Sequence, residues 1–198
     1  MSVKLFNRWE SIGIKVLDLG LERYVSLKPM IIPKSGGRNT DIIFHKSKNH
    51  IVERLINKLM VPGHKGKKHK FTSGRCTGKG VKVYSIVERC FEIIEKRTKK
   101  NPVEVYVRAL ENAAPREEIT TIEYGGARYP KAVECAPQRR IDVALRMFVQ
   151  GAYANSTNKK KSIEEALAEE IIKAYGQDQT SAAIAKKLEL ERQADASR

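Results

Sequence analysis

The sequence predicts a mainly α-helical fold of about six helices with one projecting β-hairpin and an extended N-terminal arm. In most segments after residue 48, apolar residues recur at spacings of three and four, as on the buried face of a helix. Residues 119–135 alternate instead with the period of two that is typical of strands. Residues 1–48 combine glycines and prolines with short apolar runs and show no sustained period.

The first two helices are predicted from their apolar stripes and their ends. One begins after Asn49, places Ile51, Leu55 and Leu59 on one face, and is stopped by Pro62-Gly63. The next has a broad apolar face over residues 83–94 and ends in the cationic cluster 96–100, which suits the negative end of the helix dipole.

The later helices are predicted chiefly from capping residues. Asn101-Pro102 is typical of an N-cap followed by proline at the first helical position, and this helix must end before Pro115. Pro137 begins the fourth helix. Ser162 with Glu165 forms a capping box for the fifth, which ends near residue 176, and a sixth follows residue 180.

The hairpin is predicted at about residues 119–135. Gly125-Gly126 supplies the positive φ angles of a tight turn between the two alternating segments. Pro130 cannot donate to a ladder, so its strand should expose its N–H side. Because a lone two-stranded ribbon is marginal in water, we expect the helices to support its base and a partner to hold its tip.

Charge indicates a polyanionic partner. The chain has 38 Lys and Arg against 23 Asp and Glu, a net charge of +15. Residues 161–198 carry a net charge of −2, which leaves +17 for residues 1–160. A compact body with that charge repels itself unless an anion neutralises it, and nucleic acid is the first candidate. We therefore expect an extended basic arm over residues 1–48 and a helical RNA-binding domain over residues 49–198.

Other compartments and partners rank lower. No apolar run approaches the length of a membrane span, and the first residues lack the apolar core of a signal peptide, so a cytoplasmic protein is expected. Membrane binding would require an amphipathic helix with aromatic anchors, and the chain has a single tryptophan. Three widely spaced cysteines suit reduced thiols.

Two basic segments are candidate phosphate-binding sites. A glycine-rich loop between the first two helices contains no acidic residue, which favours phosphate contact over simple solvation. Its cations are Lys65, Lys67, Lys68, Lys70, Arg75, Lys79 and Lys82. Arg139 and Arg140 lie in the first turn of the fourth helix, where cations oppose the dipole, and this indicates an anionic ligand.

The hairpin tip leaves two interpretations open. Tyr124 and Tyr129 could be strand residues that pack across the ribbon. Together with Arg128, beside Gly125 and Gly126, they could instead stack on bases and contact phosphate.

The sequence gives little support for catalysis or metal binding. The adjacent carboxylates at 117–118 and 164–165 would point about 100° apart on a helix, and no nucleophile elbow or phosphate-loop spacing is present. A zinc site from His64, His69, Cys76 and Cys90 would lack the paired spacing that makes such sites specific. We expect neither enzyme activity, nor a cofactor, nor a metal.

An ordered series of segments resembles the S-seven family of small-subunit ribosomal proteins, in its archaeal and eukaryotic branch (the eukaryotic S-five-e group). The resemblance is nearly continuous from about Leu21 to the last residue. Its segments are Arg23-Tyr24, Gly36-Gly37-Arg38, Ile51-Val52-Glu53-Arg54-Leu55, Asn57-Lys58-Leu59-Met60, Gly74-Arg75, Gly78-Lys79, Asn101-Pro102-Val103, Pro115-Arg116-Glu117-Glu118, Tyr124-Gly125-Gly126, Ala136-Pro137-Gln138-Arg139-Arg140, residues 164–170, and Glu191-Arg192 to Ser197-Arg198.

The resemblance implies a structural ribosomal protein that binds the head (three-prime major) domain of small-subunit ribosomal RNA and helps to nucleate head assembly. It implies a hairpin near the exit-site transfer RNA and the messenger RNA exit channel, and neighbours among the head and platform proteins rather than copies of itself. It adds the N-terminal arm with Arg38, Lys58 and Arg116 to the expected RNA contacts. Relatives often have Gly-Lys-Lys where this chain has Gly78-Lys79-Gly80, so the dominant loop lysines stay undecided.

Two other classes of protein share some of these features. A DNA-bending architectural protein of the HU type also combines helices with a β-ribbon, but it inserts a proline at the ribbon tip, where this chain has glycines. An RNA-processing enzyme would need a convergent set of acid, base or metal ligands.

Overall fold

The computed structural model describes residues 3–62 and 79–198, together with the backbone of residues 64–65 and 68–69. Over these residues the fold is mainly helical with one long hairpin, as predicted. The α-helices are α1 (Leu19–Glu22), α2 (Ile51–Leu59), α3 (Gly80–Thr98), α4 (Pro102–Ala113), α5 (Pro137–Ser156), α6 (Ile163–Tyr175) and α7 (Ala182–Asp195), and a 3-10 helix covers His45–Lys48. The strands are β1 (His64–Lys65), β2 (Lys68–His69), β3 (Glu117–Tyr124) and β4 (Ala127–Glu134).

Local capping explains where several helices begin. The side chains of Asn101 and Ser162 accept hydrogen bonds from the backbone N–H groups of Val103 and Glu165, as the sequence predicts. Ser181 caps α7 in the same way. Helix α3 begins earlier than predicted, at Gly80, so Lys82 lies in its first turn rather than in the basic loop.

Helix α6 is central to the bundle and packs against α3, α4 and α5. Its alanines permit close approach, and Ala166, Ala168 and Ala174 are fully buried. Helix α7 packs on α5 and on the base of the hairpin. In the core, Cys90 and Phe91 of α3 and Tyr106 of α4 are fully buried.

Residues near the N-terminus contribute to this core. Phe6 and Trp9 are buried, and each ring lies about 6 Å from the ring of Phe91 in α3, in edge-to-face geometry. Leu21 and Val25 are buried as well. The domain boundary after residue 48 stays a prediction; the structure adds that the segment before it is mostly irregular and is anchored to the bundle by these apolar side chains.

The hairpin has an uninterrupted antiparallel ladder from Glu117↔Glu134 to Tyr124↔Ala127. Gly125 and Gly126 form its two-residue turn with φ angles of 58° and 80°, which residues with a side chain rarely adopt. Residues 120–131 are all exposed, so the distal half projects from the body.

Candidate nucleic-acid interface

Helix α5, α2 and the 3-10 helix together present a group of cations that we call the α5 cation surface: Lys46, Lys58, Arg139 and Arg146. Asp142 lies among them and pairs with Lys46. It also accepts a hydrogen bond of 2.9 Å from Arg54, whose side chain is buried. The carboxylate thus fixes the 3-10 helix and α2 against α5.

The cations of this surface outnumber the acids that they contact. Burial lowers the pKa of Lys58, and the positive charges of Arg146 and Lys46 lower it further, while Asp142 opposes them. An incoming anion would stabilise the charged form of a lysine whose pKa is lowered by neighbouring cations. This surface therefore has the electrostatic character of a phosphate-binding site.

Arg139 and Arg140 lie next to each other in the chain but in different environments. Arg139 has a side chain 55% exposed and pairs with Glu118 of β3. The side chain of Arg140 is 11% exposed; it donates to Pro115 O at 3.0 Å and to Asp18 Oδ2 at 2.6 Å. Carboxylates of the chain itself thus offset the dipole at this helix end. RNA contact by either arginine stays a prediction. The position of these cations at the N-terminus of a helix no longer supports it, because carboxylates of the chain already stabilise them there.

A second cluster lies where the hairpin meets α7. The backbone N–H of Arg116 donates to Glu191 Oε1 at 3.1 Å, and Lys187 donates to Asn112 O at 2.9 Å. Burial lowers the pKa of Lys187, Glu191 opposes this, and Arg116 and Arg140 add to it. An open pocket of about 400 Å³ here is lined by Arg116, Glu117, Lys187, Glu191, Asp195 and Arg198. Its acids and bases are balanced, so it is a weaker phosphate site than the α5 cation surface.

The register of the hairpin places its tip residues on two faces. Ile122 pairs with Tyr129 and Tyr124 pairs with Ala127, so both tyrosines lie on one face and are exposed. Arg128 lies on the other face, opposite Glu123, to which it pairs at 3.5 Å. The tip thus separates an aromatic face from a charged one, and Arg128 does not join the two tyrosines.

The remaining predicted contacts are distributed over the arm and the basic loop. Arg38 is exposed just after Gly36 and Gly37, which both have positive φ. Lys79 and Lys82 are exposed at the start of α3. Lys65 and Lys68 are paired residues of β1 and β2. Lys67, Lys70 and Arg75 lie outside the described residues, and their assignment stays a prediction.

The zinc hypothesis concerns four side chains, of which the structure describes that of Cys90. The side chains of His64, His69 and Cys76 lie outside the described residues, whereas Cys90 is fully buried in the core and burial raises the pKa of its thiol. Over residues 3–62 and 79–198, the side chains form no cluster of three or more potential metal ligands. No helix in this part of the chain is long and apolar enough to cross a membrane.

Comparison with known proteins identifies the family. Residues 21–198 match the model of the family described as "Ribosomal protein S7p/S5e". The chain belongs to this family. It is 59% identical over 198 residues to "Small ribosomal subunit protein uS7" of Nanoarchaeum equitans, with all of both chains covered. It is 44% identical over 196 residues to the protein of the same name from Methanothrix thermoacetophila, with 99% of this chain and all of the relative covered.

Membership of the S7p/S5e family confirms the resemblance on which part of the residue assignment depended. The sequence pattern did not predict Lys46, Arg146 or Lys187 as candidate contacts. A signal for Arg146 was present, because residues 139, 142 and 146 share one face of a helix at spacings of three and four. Lys46 carried no such signal, since only the fold brings it to Asp142.

Proposed function

We propose that this protein is a non-catalytic structural constituent of the small ribosomal subunit in the cytoplasm, where it binds ribosomal RNA. The observation that carries the proposal is the sequence similarity of this chain to two archaeal proteins named as small ribosomal subunit proteins. The identities are 59% and 44%, along essentially the whole chain. Family membership also favours this role over the HU-like alternative and over an RNA-processing enzyme.

The α5 cation surface is proposed as the main RNA contact. Its cations come from three separate elements that Asp142 joins by ion pairs with Lys46 and Arg54, so the elements that carry the array are in place without RNA. A preformed array loses little conformational entropy when phosphates bind. Arg38, Lys79, Lys82 and Arg116 are exposed and extend the proposed contacts to other parts of the surface.

We further propose that the RNA bound is the head domain of the small-subunit ribosomal RNA, early in assembly, beside neighbouring head and platform proteins. The hairpin would lie near the exit-site transfer RNA and the messenger RNA exit channel. Its exposed distal half and the aromatic face of Ile122, Tyr124 and Tyr129 support a role in reaching a partner beyond the body. Glu118 and Glu117, at its base, pair with Arg139 and Arg198 and support the hairpin from both sides.

Sedimentation of cell extract through a sucrose gradient at moderate salt tests the proposal. The protein is expected to migrate with small subunits. A position only at the top of the gradient would contradict the proposed function.

A triple variant extends this test to the α5 cation surface. Lys46→Ala, Lys58→Ala and Arg146→Ala together should shift the protein toward the top fractions as salt rises. The matched control removes three exposed lysines outside the proposed RNA contacts: Lys96, Lys100 and Lys160. Equal behaviour of the two triple variants would refute the assignment of the surface while leaving the ribosomal role intact.

A further inference from the structure

Three consecutive apolar side chains are exposed before the 3-10 helix. Ile43 and Phe44 are 79% and 72% exposed, and Ile42 is exposed as well. Single exposed apolar residues are ordinary, but a contiguous group that ends in an aromatic ring marks an interaction surface. We call residues 42–44 the Phe44 patch.

The backbone of the Phe44 patch is held in an unfavourable conformation. Phe44 has a φ of 67°, in the left-handed region that an aromatic residue seldom adopts. Its carbonyl oxygen accepts hydrogen bonds from Ser47 N at 3.3 Å, from Ser47 Oγ at 3.1 Å and from Gln138 Nε2 at 3.4 Å. These bonds offset the local strain and hold the backbone that carries the exposed ring in one position.

The surroundings of the patch are cationic. Lys46 and Lys48 follow within four residues of Phe44, and the Gln138 contact brings it beside α5. Asp41 is the acidic residue nearest in sequence, and Asp142 is engaged by Lys46 and Arg54. A positive rim around an aromatic ring favours an anionic partner with flat apolar groups over a basic or purely apolar protein surface.

We propose that Phe44 stacks on an unpaired base of RNA while the neighbouring lysines contact its phosphates. The inference rests on the proposed RNA-binding function and adds a base-contacting position to it. Bases splayed from single-stranded loops commonly stack on aromatic side chains, and a backbone that is already fixed leaves only the side-chain torsions of Phe44 to be ordered by the contact. Ile42 and Ile43 would cover the exposed edge of the stacked base.

Fluorescence of a Phe44→Trp variant tests the stacking directly. Trp9 is buried between Phe6 and Phe91 and provides a constant background. Transcribed archaeal small-subunit ribosomal RNA should quench the added tryptophan, whereas inorganic polyphosphate, a polyanion without bases, should not. Equal quenching by both polyanions, or by neither, would overturn the proposal.

Affinity and stability measured on the same variants separate stacking from a structural role. Phe44→Asn should weaken binding to this RNA about tenfold, since stacking on an aromatic ring contributes about 1–3 kcal/mol per base. Its unfolding midpoint in urea should be equal to or above that of the unsubstituted chain, because asparagine tolerates positive φ better than phenylalanine. Phe44→Tyr should keep the affinity, and Phe44→Leu should lose it.

Leu190→Asn is the matched control, because it removes a partly exposed apolar side chain of α7, outside the proposed RNA contacts, and its RNA affinity should be unchanged. If Phe44→Asn binds as tightly as the unsubstituted chain, or Phe44→Leu binds as well as Phe44→Tyr, stacking is refuted while RNA binding itself stands. Retained RNA affinity together with lost capture of an acidic ribosomal protein would assign the patch to a protein partner instead. Failure of the unsubstituted chain to bind the RNA would overturn both proposals.

Discussion

Arg140 Nη2 lies 2.6 Å from Asp18 Oδ2, and this ion pair joins the first turn of α5 to the cap of α1, 122 residues away in the chain. The same guanidinium donates to Pro115 O, just before the hairpin. One side chain therefore connects three segments: the N-terminal segment, the start of α5 and the end of α4. Burial alone would raise the pKa of Asp18, but the hydrogen bond and charge of Arg140 outweigh it and lower that pKa.

The contrast between the two adjacent arginines is a first prediction. Arg140→Ala should lower the free energy of unfolding by about 1–3 kcal/mol, because it leaves Asp18 and Pro115 O without their charged donor. Arg139→Ala should change it by less than about 1 kcal/mol, since the Arg139 side chain is 55% exposed and water can reach the pair from that side. Urea unfolding of both variants gives the comparison. Equal losses would show that Arg140 has no special structural role.

The buried His50 should make the free energy of unfolding depend on pH. It is the N-cap of α2, where Nδ1 accepts from Val52 N at 3.2 Å, and burial lowers its pKa from 6.5 to about 4. Between these values the unfolded chain binds the proton more strongly, so stability from this site is complete above pH 6.5 and falls as the pH falls. The slope should approach about 1.4 kcal/mol per pH unit at its steepest.

Urea midpoints at pH 7, 6 and 5 measure this dependence. His50→Asn should remove most of the slope, because asparagine caps the helix without titrating. His45→Asn, on the exposed 3-10 helix, is the control and should keep it. A slope that survives in His50→Asn would assign the pH dependence to other groups.

The sequence predicted the helices and the hairpin because their signals are local. Asn101, Ser162 and the Gly125-Gly126 turn act within a few residues of their own positions, and the structure confirms each. The start of α3 was misplaced since Gly80 lacks the usual signs of a helix start: Lys79 makes no side-chain cap and the first turn has no acid.

The candidate site could be predicted only where several basic residues lie close together along the chain. The α5 cation surface depends on long-range pairing, such as Lys46 with Asp142 and Arg54 with Asp142, which no local pattern specifies. For the same reason the burial of Arg140 could not be foreseen: its partner Asp18 lies in a segment without periodic structure.

The close packing of α5 against α6 and α7 gives a further prediction. A Cβ added at Gly151 would lie 2.9 Å from Ala182 Cβ and 3.0 Å from Glu170 Cδ. Glu170 is buried and cannot withdraw freely, because its Oε1 accepts from Ser181 Oγ at 2.7 Å and from Ala183 N.

Gly151→Ala should therefore lower the free energy of unfolding by about 1–3 kcal/mol, although alanine favours a helix interior by about 1 kcal/mol over glycine. Gly80→Ala is the matched control, since its Cβ would meet Met60 Cε at an ordinary 3.8 Å. Thermal unfolding of both variants decides. A Gly151→Ala chain as stable as the control would mean that α7 shifts without cost.

The salt dependence of RNA binding is the last prediction, and it distinguishes the two cation clusters. Each lysine or arginine that neutralises a phosphate should contribute about one unit to the slope of log affinity against log salt concentration. Lys58→Ala and Arg146→Ala should each reduce that slope by about one, because both cations face the incoming anion on the α5 cation surface. Lys187→Ala should leave it nearly unchanged, since its ammonium group already donates to Asn112 O and lies near Glu191. Filter binding of small-subunit ribosomal RNA at five salt concentrations measures the slopes. A larger reduction for Lys187→Ala than for Lys58→Ala would move the proposed interface from α5 to the base of the hairpin.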